Sequence, residues 1–203
     1  QSATWTVTGC GAVVLESGSE MKREGACSEK NSETAMKQAE TGGNGMGRKN
    51  HRFRVAVTGI TTGKLVDMGT KDSMNMGAAM APAAWNTICQ NFEDFGVDVS
   101  YYDRIITGDL GAVGQKVLLD FMKSSGQELA GRHMDCGLEI YDRGGQDVHA
   151  GGSGCGCAAV TLCAKILPKL KRGEWKRVLF VPTGALLSTV SYNEGQSIPG
   201  IAH

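Results

Sequence analysis

The sequence predicts an α/β fold in which a mixed or parallel sheet is covered by helices. Three observations carry this expectation. Short apolar, β-branched runs alternate with segments whose apolar residues recur at helical spacing. Glycine is abundant, 29 of 203 residues, and clusters where strands would feed helices. Apolar residues make up 41% of the chain, enough to bury a sizeable core, whereas aromatic residues make up only 6%.

The elements follow in order. Thr4 to Leu15 reads as a strand with glycines in its middle, where another backbone or a ligand often approaches closely. Residues 16–52 change character, with charges, Gly, Asn and Ser dominating up to Gly42-Gly43-Asn44-Gly45-Met46-Gly47. They predict a polar flexible insert with a helical turn around Ser32 to Ala39, serving either as a partner contact or as a solvated hairpin tip. Phe53 to Thr58 predicts a second strand, and Thr61 to Met68 continues its extended character. A small-residue segment, Ser73 to Met80, leads to Pro82. A helix is predicted from Ala83 to Phe95, with Trp85, Ile88, Cys89 and Phe92 on one face.

Tyr102 to Thr107 then predicts a buried strand, Gly108-Asp109-Leu110-Gly111 a turn, and Gln115 to Ser124 a helix with Val117, Leu118, Phe121 and Met122 as its stripe. Gly137 to Tyr141 reads as another strand. The glycine loop from Ala150 to Cys157 opens a predicted helix from Ala158 to about Lys171. Val178 to Val181 is a buried strand, Thr183 to Ser188 a turn, and Ile201-Ala202-His203 a returning strand. The sequence starts inside one strand and stops at another, which predicts a piece of a longer protein.

Composition excludes several classes of function. With 21 basic and 21 acidic residues the net charge is zero, so nothing global attracts a polyanion and nucleic acid is not an expected partner. Seven cysteines are an odd number, and Cys155 and Cys157 have neither zinc-ribbon nor thioredoxin spacing, so no metal and no cofactor is expected. A reducing compartment follows. No basic segment followed by an apolar run opens the chain, and no apolar stretch is long enough to span a bilayer.

The most informative local feature is the glycine loop. Amides at a helix start carry partial positive charge, and glycines at 152 and 154 with the Ser153 hydroxyl suit a carboxylate or phosphate; tight backbone packing is the alternative. Asp109 lies just past a buried strand, where ligands of open sheets bind, and either orients a ligand or caps the helix that follows. Cys155 and Cys157 sit at a helix start that would stabilise a thiolate, or pack inertly. His51, His133, His149 and His203 have no spacing that forces convergence. The basic run Lys165, Lys169, Lys171, Arg172, Lys176 and Arg177 is a solvated helix end or a docking patch.

Several ordered blocks carry a resemblance to a known family. They are Thr6 to Leu15, Asp72 to Ala84, Thr107-Gly108-Asp109-Leu110-Gly111, Asp135 to Tyr141, Gly151-Gly152-Ser153-Gly154-Cys155, and Thr183 to Ser188, closed by Ile198 to His203. In this order they resemble the C-terminal half of the stage V sporulation protein AD family. The resemblance implies a thiolase-like α/β fold, the C-terminal half of a layered αβαβα architecture with a mixed sheet. Residues 1–15 would then be the closing strand of the N-terminal half, 16–52 an insert longer than the family's hairpin, and 53–203 the C-terminal domain.

The resemblance further implies binding of dipicolinic acid, alone or as its calcium chelate, during uptake into the developing spore. It implies work beside the other stage V sporulation A operon proteins, peripherally at the inner spore membrane, and a homodimer in the longer parent. Gly108, Asp109, Gly152, Ser153, Gly154 and Cys155 become the candidate ligand-binding residues. Compared with the β-ketoacyl synthases, Gly108 and Gly152 fall about where a catalytic histidine and asparagine are expected. The resemblance therefore implies a binder without catalysis; an acyl transferase using His149 or a cysteine, or a scaffold subunit, are the alternatives.

Overall fold

The computed structural model describes residues 3–15 and 54–203. The chain divides into two units, Gln1–Ala12 with Arg52–His203 and, separately, Val13–His51, and the first is described here. The predicted insert and its helical turn lie outside the described residues, as does Phe53.

Three parallel strands form the central sheet in the order β3–β2–β5, with β2 Arg104–Thr107, β3 His133–Asp135 and β5 Val178–Val181. Parallel strands covered on both faces should be apolar on both, and Ile105 and Ile106 are fully buried. Alternation sends neighbouring residues into opposite layers. Ile105 and Val181 join α1 (Met76–Phe95) and α2 (Gly111–Ser124) in one core, with Ile88, Leu118 and Met122. Ile106, Met134 and Phe180 face the other core with Cys157 and Ile166 of a second helical stretch. That stretch runs as α4 (Cys155–Thr161), a π-helical turn (Leu162–Ile166) and α5 (Leu167–Lys171).

Helix α1 starts seven residues before its predicted beginning at Ala83 and runs through Pro82. Proline removes one hydrogen bond inside a helix, so the segment needs compensating contacts. Packing supplies them, since Ala81, Ala83 and Ala84 are wholly buried. Small residues also let backbones meet. A Cβ on Gly77 would stand 2.3 Å from the Leu110 carbonyl oxygen, and one on Gly114 would stand 2.7 Å from the Gly77 oxygen. These two glycines set the α1–α2 crossing. Gly96, at φ 61°, ends the helix in a left-handed cap.

Two smaller pairings complete the unit. β6 (Thr183–Ala185) pairs antiparallel with β7 (Gly200–Ala202), and an isolated bridge joins Val66 to Gly200. β1 (Trp5–Thr6) pairs parallel with β4 (Gly152–Ser153). A short helix, α6 (Thr189–Asn193), is held by a reciprocal Ser188–Ser191 capping box.

Several expected elements differ. The strand predicted from Thr4 to Leu15 ends at Thr6, because the next residues lie against a helix that offers no ladder: a Cβ on Gly156 would meet the Gly9 oxygen at 2.4 Å. Phe53 to Thr58 predicts a strand and Thr61 to Met68 an extended continuation, yet among their described residues Val66 alone is bridged. Gly137 to Tyr141 is not a strand. His133–Asp135 fills the place beside β2, in register with Ile105–Thr107, and Cys136–Glu139 turns as the short helix α3. A short apolar run cannot be told from a buried helical turn by its periodicity. The two later helices each begin earlier than their stripes predict, at Gly111 and Cys155.

Replacing Gly114 by Ala should force α1 and α2 apart and lower stability by about 1–3 kcal/mol. Urea denaturation checks this, with Lys116→Ala on the exposed face of the same helix expected to stay within about 0.5 kcal/mol.

Candidate functional site

The loop Gly108–Gly111 leaves the carboxyl end of β2, the place where open α/β sheets usually bind ligands. Two carboxylates hold it. Asp109 reaches outward: its Oδ2 accepts the Gly154 amide at 2.9 Å, and its Oδ1 accepts the Thr183 hydroxyl at 2.9 Å. The same hydroxyl oxygen accepts the Asp109 amide at 2.9 Å. Asp135 grips the loop from the end of β3. Its Oδ2 accepts the Thr107 hydroxyl at 2.6 Å and the Leu110 amide at 2.9 Å, while Oδ1 accepts the Gly111 amide at 3.1 Å.

Helix amides without intrahelical partners attract negative charge. In this fold internal carboxylates meet that demand, with Asp135 at the start of α2 and Asp109 at the start of α4. Burial pushes both carboxyl groups above their ordinary range, against the pull of their hydrogen bonds. Asp135, 1% exposed, is pushed to about 6, and the Asp109 charge adds to the rise.

Two thiols share this setting. Burial raises Cys157 to about 12, with Asp109 and Asp135 adding to the effect, and Cys136 is raised further by burial and the same carboxylates. Thiols there stay protonated and are poor nucleophiles. His133 Nε2 lies 3.0 Å from the Thr107 hydroxyl and its Nδ1 lies 3.0 Å from the Gln115 amide nitrogen. Burial lowers its pKa to about 4, so the ring is neutral near neutral pH.

The candidate residues fall into three groups. Asp109, Gly108 and Gly154 converge on the loop. A Cβ on Gly108 would meet the Thr183 nitrogen at 2.7 Å, and Gly154 sits at φ 102°, which disfavours other residues. Gly152 and Ser153 form β4, where a Cβ on Gly152 would strike Ile140 at 2.6 Å and Val7 at 2.8 Å. Cys155 is exposed as the first residue of α4. His149 sits at φ 50°, its Nδ1 3.3 Å from Asp147 and its ring 6.1 Å from that of Trp5. Among the described residues no three His, Cys, Asp or Glu side chains gather to hold a metal ion.

Sequence reading missed Asp135, Thr183, Thr107 and Gln115 as parts of this site. An aspartate directly ending an apolar strand, as in Met134-Asp135, was the available signal, but its partners lie 24 to 28 residues away.

Comparison with known proteins places these features in context. The family model described as Stage V sporulation protein AD matches residues 1–203, the whole chain. The Stage V sporulation protein AD of Bacillus subtilis (strain 168) is 45% identical over 149 residues, 73% of this chain. The chain spans 44% of that relative's length. No helix among the described residues is long and apolar enough to cross a membrane.

Removing the Asp109 carboxylate should free the Gly154 amide. In Asp109→Ala, hydrogen exchange at Gly154 is expected to accelerate about tenfold or more, equivalent to the loss of about 1.5–3 kcal/mol from a charged hydrogen bond. The pH dependence has a defined sign. Asp135 binds its proton more readily folded than unfolded, so its contribution to stability is full below about 3.8 and is lost as pH rises through about 6. Asp135→Asn should flatten that decline, which urea midpoints measured between pH 4 and 7 will reveal.

Proposed function

The chain belongs to the stage V sporulation protein AD family, and on that footing we propose that it serves spore formation by binding dipicolinic acid without catalysing its conversion. The whole-length family match carries this reading. A thiolase-like architecture, in which this chain corresponds to the C-terminal half, is part of the same proposal. The α/β sheet with helices on both faces is compatible with it.

The geometry supports a binder over a catalyst. Gly108 and Gly152 stand about where the resemblance to β-ketoacyl synthases expects a histidine and an asparagine. At both positions the backbone is closed in by neighbours, so a side chain would displace Thr183 at the first and Ile140 and Val7 at the second. Neither position offers room for proton-transfer groups. The thiols of Cys136 and Cys157 are buried and held protonated beside two carboxylates. Acyl transfer through a cysteine would need the opposite, a thiolate stabilised by a positive neighbour.

The ligand reading is shaped by Asp109. Its carboxylate already takes the Gly154 amide. A dianion approaching Gly152–Cys155 therefore meets a negative charge as well as the helix start, so the ligand binds beside Asp109, toward Ser153 and exposed Cys155. Binding as a calcium chelate would relieve that repulsion by neutralising the acid's two carboxylates. The other stage V sporulation A operon proteins are the proposed partners, with the protein placed peripherally at the spore's inner membrane and dimeric in its full-length form.

Titration calorimetry tests the reading, with dipicolinate compared against benzoate at equal concentration. Saturable heat for dipicolinate alone is the expected outcome, and neutralising Asp109 by Asp109→Asn should tighten binding of the free dianion several-fold. Equal heats for both acids, or none for either, would remove the proposal. Cleavage of a thioester substrate that Cys155→Ala or His149→Ala abolishes would favour the acyl transferase instead.

A further inference from the structure

Four side chains form an unbroken line of hydrogen bonds from a half-buried helix position to Asp135, the most deeply buried carboxylate among the described residues. Gln115 Nε2 lies 3.0 Å from His133 Nδ1, His133 Nε2 lies 3.0 Å from Thr107 Oγ1, and Thr107 Oγ1 lies 2.6 Å from Asp135 Oδ2. The polarity of this line is fixed at one end by ionised Asp135, which can only accept. Thr107 must then donate its hydroxyl hydrogen to Asp135 and accept from His133, which places the ring proton on Nε2. Nδ1 is left as an acceptor, and the Gln115 NH2 group faces it. Each link in the line then joins one donor to one acceptor.

The same line works in reverse. With a proton on Asp135 Oδ2, the carboxyl donates to Thr107, and Thr107 donates to His133 Nε2. The ring proton then sits on Nδ1 and is accepted by the Gln115 oxygen after the amide turns over. Both states use the same four residues, and His133 is neutral in each. We propose that Gln115, His133, Thr107 and Asp135 form a reversible relay that carries a proton to Asp135 and so switches the charge at the loop joining β2 to α2.

The step balances. Solvent delivers one proton to His133 Nδ1, the Nε2 proton passes to Thr107, and the Thr107 hydroxyl proton passes to Asp135. The net change is one proton bound and one negative charge removed. The environment of Asp135 allows this within a usable pH range. From the β2–α2 loop it faces the Leu110 and Gly111 amides and the like charge of Asp109; from β2, Thr107; from α3 and α4, the thiols of Cys136 and Cys157. Burial raises its pKa to about 6 against the pull of its hydrogen bonds, and the like charge of Asp109 adds to the rise. His133, lowered to about 4, does not compete for the proton in the same interval. Proton uptake removes the Asp135 charge, which weakens the field opposing any anion at the start of α4.

Nitrogen-15 NMR of the histidine rings distinguishes the two states. As pH falls from 7.5 to 5, His133 is expected to exchange an Nε2–H pattern for an Nδ1–H pattern with a midpoint about 6. In Thr107→Val, which cuts the line, the ring should hold one tautomer throughout. Gln115→Glu, which can only accept, should give the Nδ1–H form already at pH 7.5, and provides the test if Thr107→Val does not fold. A ring that gains a second proton between pH 7.5 and 5 in the unaltered protein, or that keeps Nε2–H down to pH 5, overturns the relay. So does a tautomer change that survives in Thr107→Val, or an Nε2–H ring at pH 7.5 in Gln115→Glu.

Discussion

The grip of two carboxylates, buried Asp135 and half-buried Asp109, on the loop Gly108–Gly111 is the interaction on which the rest of the site depends. Asp135 ties that loop to β3 and supplies the negative end that α2 requires, and Asp109 ties it to the start of α4 and to Thr183 at the start of β6. Four segments distant in sequence meet at one turn. An unpaired buried carboxylate is costly, and each of these is kept by multiple donors drawn from backbone amides and threonine hydroxyls. The arrangement fixes where the helices begin, and hence where the elements at the carboxyl end of the sheet can lie.

Close backbone approach is the second constraint. Gly77 and Gly114 bring α1 onto α2, Gly156 brings the chain at Gly9 onto α4, and Gly152 fits under Ile140 and Val7. With backbone filling these places, the site is made of amides, carbonyls and a few small polar side chains. The acidic surroundings also set the tone for the thiols nearby, because every negative neighbour makes a thiolate harder to form.

The central sheet and the polar line through His133 are connected facts. β3 lies beside β2 in a register that puts His133 opposite Ile105 and Asp135 opposite Thr107. A shift of one residue would send these side chains to opposite faces and scatter the line. Register is therefore part of the site. The apolar alternation of Ile105 and Ile106 between two cores enforces it by burial.

The sequence by itself determined the α/β class and the turn at Gly108–Gly111, because glycine spacing and apolar periodicity are local properties, and its ordered blocks carried the resemblance to the family. It also pointed to Asp109 as a residue past the end of a buried strand. Tertiary structure alone decided that the Gly154 amide belongs to Asp109, that Asp135 is the deeper anchor, and that Thr107, His133 and Gln115 stand in line with it. Contacts across 18 to 45 residues leave no local mark. Strand lengths were also settled in space: Val7 to Ala12 and Gly137 to Tyr141 have strand-like composition, yet a strand needs a partner edge, and here a helix or another strand already holds that place.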